Sequence, residues 1–114
     1  MSNQHMSNEL PKSIADYIAG SNAHDPDACA ACFTDDAVVI DEGRERKGFA
    51  DIRAWKEEVT GKYRATVEVV AAAKANGRTI VTGRVSGNFP GSPVNLRYAF
   101  TLRGDKIVRL EIVP

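Results

Sequence analysis

Three residues of this chain could together move a proton and hold the negative charge that results: Asp41, Tyr17 and Tyr98. Asp41 ends the short apolar run Ala37-Val38-Val39-Ile40, so a carboxyl group stands at the rim of whatever that run helps to enclose. Burial disfavours an ionised carboxylate and raises its pKa from a reference near ~3.9 toward useful base strength. Tyr17 and Tyr98 fall on apolar faces by period, and a buried phenol needs a partner for its hydroxyl. Both are candidate donors to a developing oxyanion. The plainer alternatives stay open here: a solvated turn at Asp41-Glu42-Gly43, and two ordinary core tyrosines.

Other chemistry-bearing residues point to less. Cys29-Ala-Ala-Cys32 has dithiol spacing, but it follows a loop rather than a strand, and His24 is the one further soft ligand nearby. Packing of small side chains is the expectation, with no metal and no cofactor. His24 and His5 fall in a connection and a tail and are expected to have no role. Arg44-Glu-Arg-Lys47 reads as a solvated loop.

The elements that must position these residues follow from spacing. Leu10, Ile14, Tyr17 and Ile18 recur at helical intervals, predicting a helix over 8–19 capped by Ser7 or Asn8 and stopped at Gly20. Asp25-Pro26 is a cap followed by proline at the first helical position, opening a short helix over 26–33. Residues 37–41 read as a strand with Val39 and Asp41 on one face. Glu42 to Lys47 is then a charged loop, and a third helix spans 48–59. Its inner face is Phe49, Ile52, Trp55 and Val59, while Arg53, Lys56, Glu57 and Glu58 lie mostly outside. From Tyr63 onward the period becomes two, with strands near 64–74, 78–88, 94–103 and 106–113. Asn76-Gly77 and Gly104-Asp105 are tight turns, and Gly87 to Pro93 is a looser one. Leu96, Tyr98, Phe100 and Leu102 share a face, as do Val108, Leu110 and Ile112, while Arg97 and Arg109 point the other way. The fold class is therefore α+β: helices covering one face of an antiparallel sheet.

The chain has 114 residues, enough for one core and too few for a separate cofactor domain. We expect a tail at 1–7 and a single domain over 8–114. Fifteen basic and fifteen acidic residues cancel, so no global field favours nucleic acid or an anionic membrane. No apolar run approaches a membrane span, and the polar start Met1-Ser-Asn-Gln-His-Met6 does not read as the apolar core of a secretion signal. With two cysteines, a cytoplasmic setting is the expectation.

This order of elements, with Tyr17, Asp25-Pro-Asp27-Ala, Phe33-Thr-Asp-Asp36-Ala-Val-Val, Gly48, Ile52 and Trp55, resembles the nuclear transport factor 2-like superfamily, in particular its SnoaL-like branch. The resemblance covers about residues 8–114. It implies a cone-shaped curved sheet covered on one face by three N-terminal helices, and a small-molecule pocket. Members include ketosteroid isomerases, polyketide cyclases, dehydratases and proteins that only bind or associate, so the fold leaves activity open.

The similarity to ketosteroid isomerase implies Asp41 as general base and Tyr17 as oxyanion donor. That family's second donor, a protonated aspartate, is replaced here by Tyr98. Phe33, Val39, Phe49, Ile52, Trp55, Val59, Leu96 and Phe100 are the expected pocket walls, suited to an apolar or aromatic molecule. Cofactor-independent proton transfer next to a carbonyl is the leading expectation. A non-catalytic ligand-binding or dimerisation module is the alternative, and a homodimer is expected through the charged outer face of the sheet.

Overall fold

A computed structural model describes residues 10–114. Helix α1 (Lys12–Asn22) and helix α2 (Pro26–Ala30) precede strand β1 (Phe33–Asp41), strand β2 (Arg44–Lys47) and helix α3 (Phe49–Tyr63). Strands β3 (Thr66–Ala75), β4 (Arg78–Ser86), β5 (Val94–Arg103) and β6 (Lys106–Val113) complete a six-stranded sheet ordered β2-β1-β6-β5-β4-β3. The β1–β6 pairing is parallel and the other pairings are antiparallel. The sheet curves around the helices, which pack on one face, as the α+β expectation required.

Local chemistry explains the helices and corrects their predicted limits. Pro11 occupies the N-cap of α1, where its missing N–H is no loss, so the helix opens at Lys12. The caps expected at Ser7 and Asn8 lie outside the described residues. Gly20 does not stop α1. It sits inside it, because α2 crosses so closely that a Cβ there would lie 3.2 Å from Ala28 Cβ and Cys29 Sγ. Asp25 caps α2 as expected, accepting from the Ala28 N–H at 3.1 Å, but α2 ends at Ala30. Phe33 belongs to β1, opposite Ile107. Helix α3 runs a turn beyond the expected Val59, to Tyr63, and Arg64 closes it in the left-handed conformation.

The charged loop expected at 42–47 is a hairpin. Glu42 (φ 56°) and Gly43 (φ 73°) both take positive φ, the requirement of a two-residue type I′ turn, and Arg44–Lys47 then pairs back on β1. Glutamate is a weak turn former, so the signal was faint in the sequence.

Bulges shift the strand faces. Between Arg109 and Ile107 the pairing with β5 skips Val108, which puts Ile107 rather than Val108 on the core side. A comparable shift at Val70 leaves that side chain half-exposed on β3. The core beneath the helices is Ile14, Tyr17, Val39, Phe100, Ile107 and Leu110 with their neighbours.

At Gly87 the chain after β4 passes against the end of α3, where an added Cβ would lie 2.7 Å from the Tyr63 carbonyl oxygen and 3.0 Å from Ala65 Cα. Backbone cannot retreat as a flexible side chain can. Gly87→Ala is therefore expected to destabilise the domain by about 1–3 kcal/mol, read as a lowered urea midpoint. An unchanged midpoint would show that this contact is looser than drawn.

Candidate functional site

Cross-strand register assembles the site. On the inner face Asp41 pairs with Ile112, and Ile112 pairs with Tyr98, so carboxyl and phenol stand in one row two strands apart. At the usual strand spacing that is roughly 10 Å between their Cα atoms. Val39, Leu110 and Phe100 form the next row. The helices roof these rows: Tyr17 from α1, Trp55 and Lys56 from α3.

Between roof and sheet lies a cavity of about 550 Å³ whose walls include Tyr17, Asp41, Trp55, Lys56, Leu96 and Tyr98. Its size suits a small organic ligand. Asp41, Tyr17 and Tyr98 are thus brought to one hollow. Of the eight expected walls, Trp55, Val59 and Leu96 line it.

The other five do not. Val39 and Phe100 sit in the deeper row and are fully buried as floor beneath the cavity. Ile52 is buried one turn of α3 before Trp55, toward the closed end. Phe33 and Phe49 border a separate shallow hollow with Thr34 and Lys106, and Phe49 is 46% exposed. Alternation and helical period identified their inward faces but not their depth along the cone. Phe89 and Val94, from the loose connection and the start of β5, line the cavity instead.

Asp41 Oδ2 accepts a hydrogen bond from Trp55 Nε1 at 3.1 Å, which fixes the carboxylate against the roof. Burial raises its pKa above the ordinary carboxylate value, and the Trp55 N–H offsets part of that rise. The Tyr17 ring is 1% exposed and is held edge-on by Phe33 and Phe100 at centroid distances of 5.7 and 5.8 Å. Burial pushes both phenols well up, and Asp41's charge adds to each rise, so both remain protonated donors.

Lys56 overturns its expected place. Rather than lying outside, it is 8% exposed, its Nζ donating to Ser21 Oγ at 2.9 Å and to the Tyr17 hydroxyl at 3.4 Å. The signal was in the spacing. Ile52, Trp55, Lys56 and Val59 follow i, i+3, i+4, i+7, so residue 56 belongs to the inward stripe whatever its charge. Arg53, one step round the helix, does lie outside, paired with Asp27 and Glu57.

The remaining candidates find structural places. Cys29 and Cys32 direct their thiols at the backbone carbonyls of Tyr17 and Ala28. Burial pushes Cys29 up to about 11 and raises Cys32 too, opposite to a reactive thiolate. His24, expected to do nothing, takes a left-handed backbone conformation and bonds the Ala65 carbonyl through Nε2 at 3.0 Å, tying the α1–α2 turn to the approach to β3. His5 lies outside the described residues. Arg97 is on the outer face, donating to the Pro114 carbonyl at 3.2 Å.

A curved sheet roofed by helices over a hollow defines a protein of the nuclear transport factor 2-like class. Within that class the chain belongs to the SnoaL-like domain family, which matches residues 14–110. It is similar to a Sinorhizobium meliloti protein provisionally named a polyketide cyclase, at 36% identity and a TM-score of 0.87, covering 93% of this chain and 97% of the other. More distant structures share the fold. The epoxide hydrolase/cyclase-like enzyme SalBIII, which has a role in pyran ring formation in the polyether salinomycin, is 20% identical (TM-score 0.77, covering 99% and 93%). A Catenulispora acidiphila protein with a ketosteroid isomerase-like fold, crystallised with trimethylamine, is 19% identical (TM-score 0.80, covering 92% and 86%). No curated protein matches the chain. No helix among the described residues is long and apolar enough to cross a membrane.

Proposed function

We propose that the cavity binds a small apolar or aromatic carbonyl compound and moves a proton at the carbon beside the carbonyl, as isomerisation, cyclisation or dehydration requires. Asp41 takes the proton, and Tyr17 and Tyr98 donate to the enolate oxygen as charge develops. The observation that supports this most is the shared hollow: Asp41, Tyr17 and Tyr98 all stand on the walls of one cavity, whose lining is otherwise mostly apolar apart from Glu42, Lys56, Tyr63 and a few hydroxyls. Relatives named for cyclase chemistry agree with the reading in class. The test is turnover of a panel of enolisable ketones, with solvent-deuterium exchange at the α carbon as a second readout. Wild type is expected to outpace Asp41→Asn; equal rates would remove the mechanism.

A second reading, ligand binding without catalysis, is favoured by one feature. Asp41 Oδ2 is already engaged by Trp55. Tight binding of an aromatic ketone with no deuterium exchange would select it. We also place a homodimer contact on the outer sheet face, where Glu68 stands opposite Arg84 and Arg109 near Glu111. Light scattering should give twice the chain mass, and a monomer at micromolar concentration would exclude the contact.

A further inference from the structure

Proton transfer as described leaves Lys56 without a task, yet this residue is costly to keep where it is. Its Nζ carries three donors. One reaches Ser21 Oγ at 2.9 Å and another the Tyr17 hydroxyl at 3.4 Å. The ring faces of Tyr17 and Trp55 lie 5.1 and 5.4 Å away. Every one of these partners is neutral. Among the described residues no carboxylate pairs with the ammonium. Asp41, the acidic wall residue that bears on it, is bonded to Trp55 instead. Cys29 beside it is an uncharged thiol at neutral pH.

A cation taken out of water and solvated by hydroxyls and ring faces alone remains under-compensated. It also borders the hollow, so the missing anion has somewhere to sit. We propose that Lys56 is the counter-ion for an acidic oxygen of the ligand, which makes the molecules of this cavity small, mostly apolar anions: carboxylates, or enols and phenols acidic enough to ionise. The oxygen docks on Lys56 Nζ beside the Tyr17 hydroxyl, and Ser21 keeps the amine aimed. This rests on the reading that the cavity holds a small apolar molecule, and it is independent of whether Asp41 catalyses anything.

The experiment is calorimetric titration of wild type, Lys56→Met and Lys56→Gln with 2-naphthoate and 2-naphthamide, a pair matched in shape and differing in charge. Wild type is expected to bind the acid roughly tenfold to hundredfold more tightly than the amide, the range of one charge-assisted hydrogen bond. Both variants should lose that preference by weakening the acid while the amide keeps its affinity. Lys56→Gln retains polar contact with Ser21 without the charge, which separates charge from packing. No preference in wild type, or a preference that survives in both variants, would overturn the proposal. So would equal loss of both probes, which would make the lysine only a shaping residue. Equal ketone turnover in wild type and Asp41→Asn would instead remove the proton-transfer reading and leave this one standing.

Discussion

Asp41→Asn should lose about two to four orders of magnitude in α-proton transfer while its fold survives and its thermal stability at neutral pH rises. The rate loss follows from removing the carboxylate that we propose takes the proton, which is bonded to Trp55 on the cavity wall. Asparagine keeps the shape and can still accept from Trp55 Nε1, so the 3.1 Å contact is not the variable. The stability gain follows from the sign of the pKa shift. Burial is the largest influence and raises the folded-state pKa of Asp41 above its ordinary 3.8. The ionised form is therefore worse accommodated folded than unfolded. Below the unfolded pKa the carboxyl is neutral in both states and carries no penalty. As pH rises above the unfolded value the penalty grows, and it levels off once pH has passed the raised folded value. The variant should thus melt higher than wild type at pH 7, with the difference closing on acidification below about pH 4.

In the wild-type rate profile, the acid limb of kcat/KM should fall above pH 3.8 for the same reason. A variant with unchanged rate, or a melting difference that grows on acidification, would contradict the assignment of Asp41 as a buried base.

Phe100→Ala is expected to remove about 3–5 kcal/mol, a large share of the 5–15 kcal/mol that holds a domain of this size. Phe100 has no solvent exposure. It packs edge-on to Tyr17 at 5.8 Å and stacks on Tyr98 at 6.3 Å, so the vacated volume lies directly under both phenols. Part of the loss is transfer of the ring, and part is the void left where sheet and α1 cannot close up. Urea unfolding should show the midpoint falling at constant slope. Phe100→Leu, which fills most of the space, should cost well under half as much. A Phe100→Ala loss below about 1 kcal/mol would show that the floor of the cavity can collapse, and with it the fixed placement of Tyr17 and Tyr98.

The residue alphabet and its periods were sufficient for the helices and the strands other than β2, the hairpin at Asn76-Gly77, the cap at Asp25 and the inward faces of the strands up to their bulges. They also set Asp41 on the face of Val39, because a two-residue period leaves no other choice once one face is buried. Lys56 lay within reach of the same arithmetic, since helical spacing places it beside Trp55. Its charge argued for solvent, and charge is the weaker guide when a cavity supplies hydroxyls.

Tertiary structure alone decided depth. Phe33, Val39, Ile52 and Phe100 point inward as their spacing requires, yet they fill the closed part of the cone. Trp55, Leu96 and Phe89 meet the hollow. Which row of a curved sheet becomes floor and which becomes wall depends on the register of β1 against β6, which pairs residues far apart in the chain, and on bulges such as that at Val108. No local pattern records them. The row Asp41–Ile112–Tyr98 exists only because β1 lies parallel to β6, a pairing across some seventy residues that the chain acquires on folding.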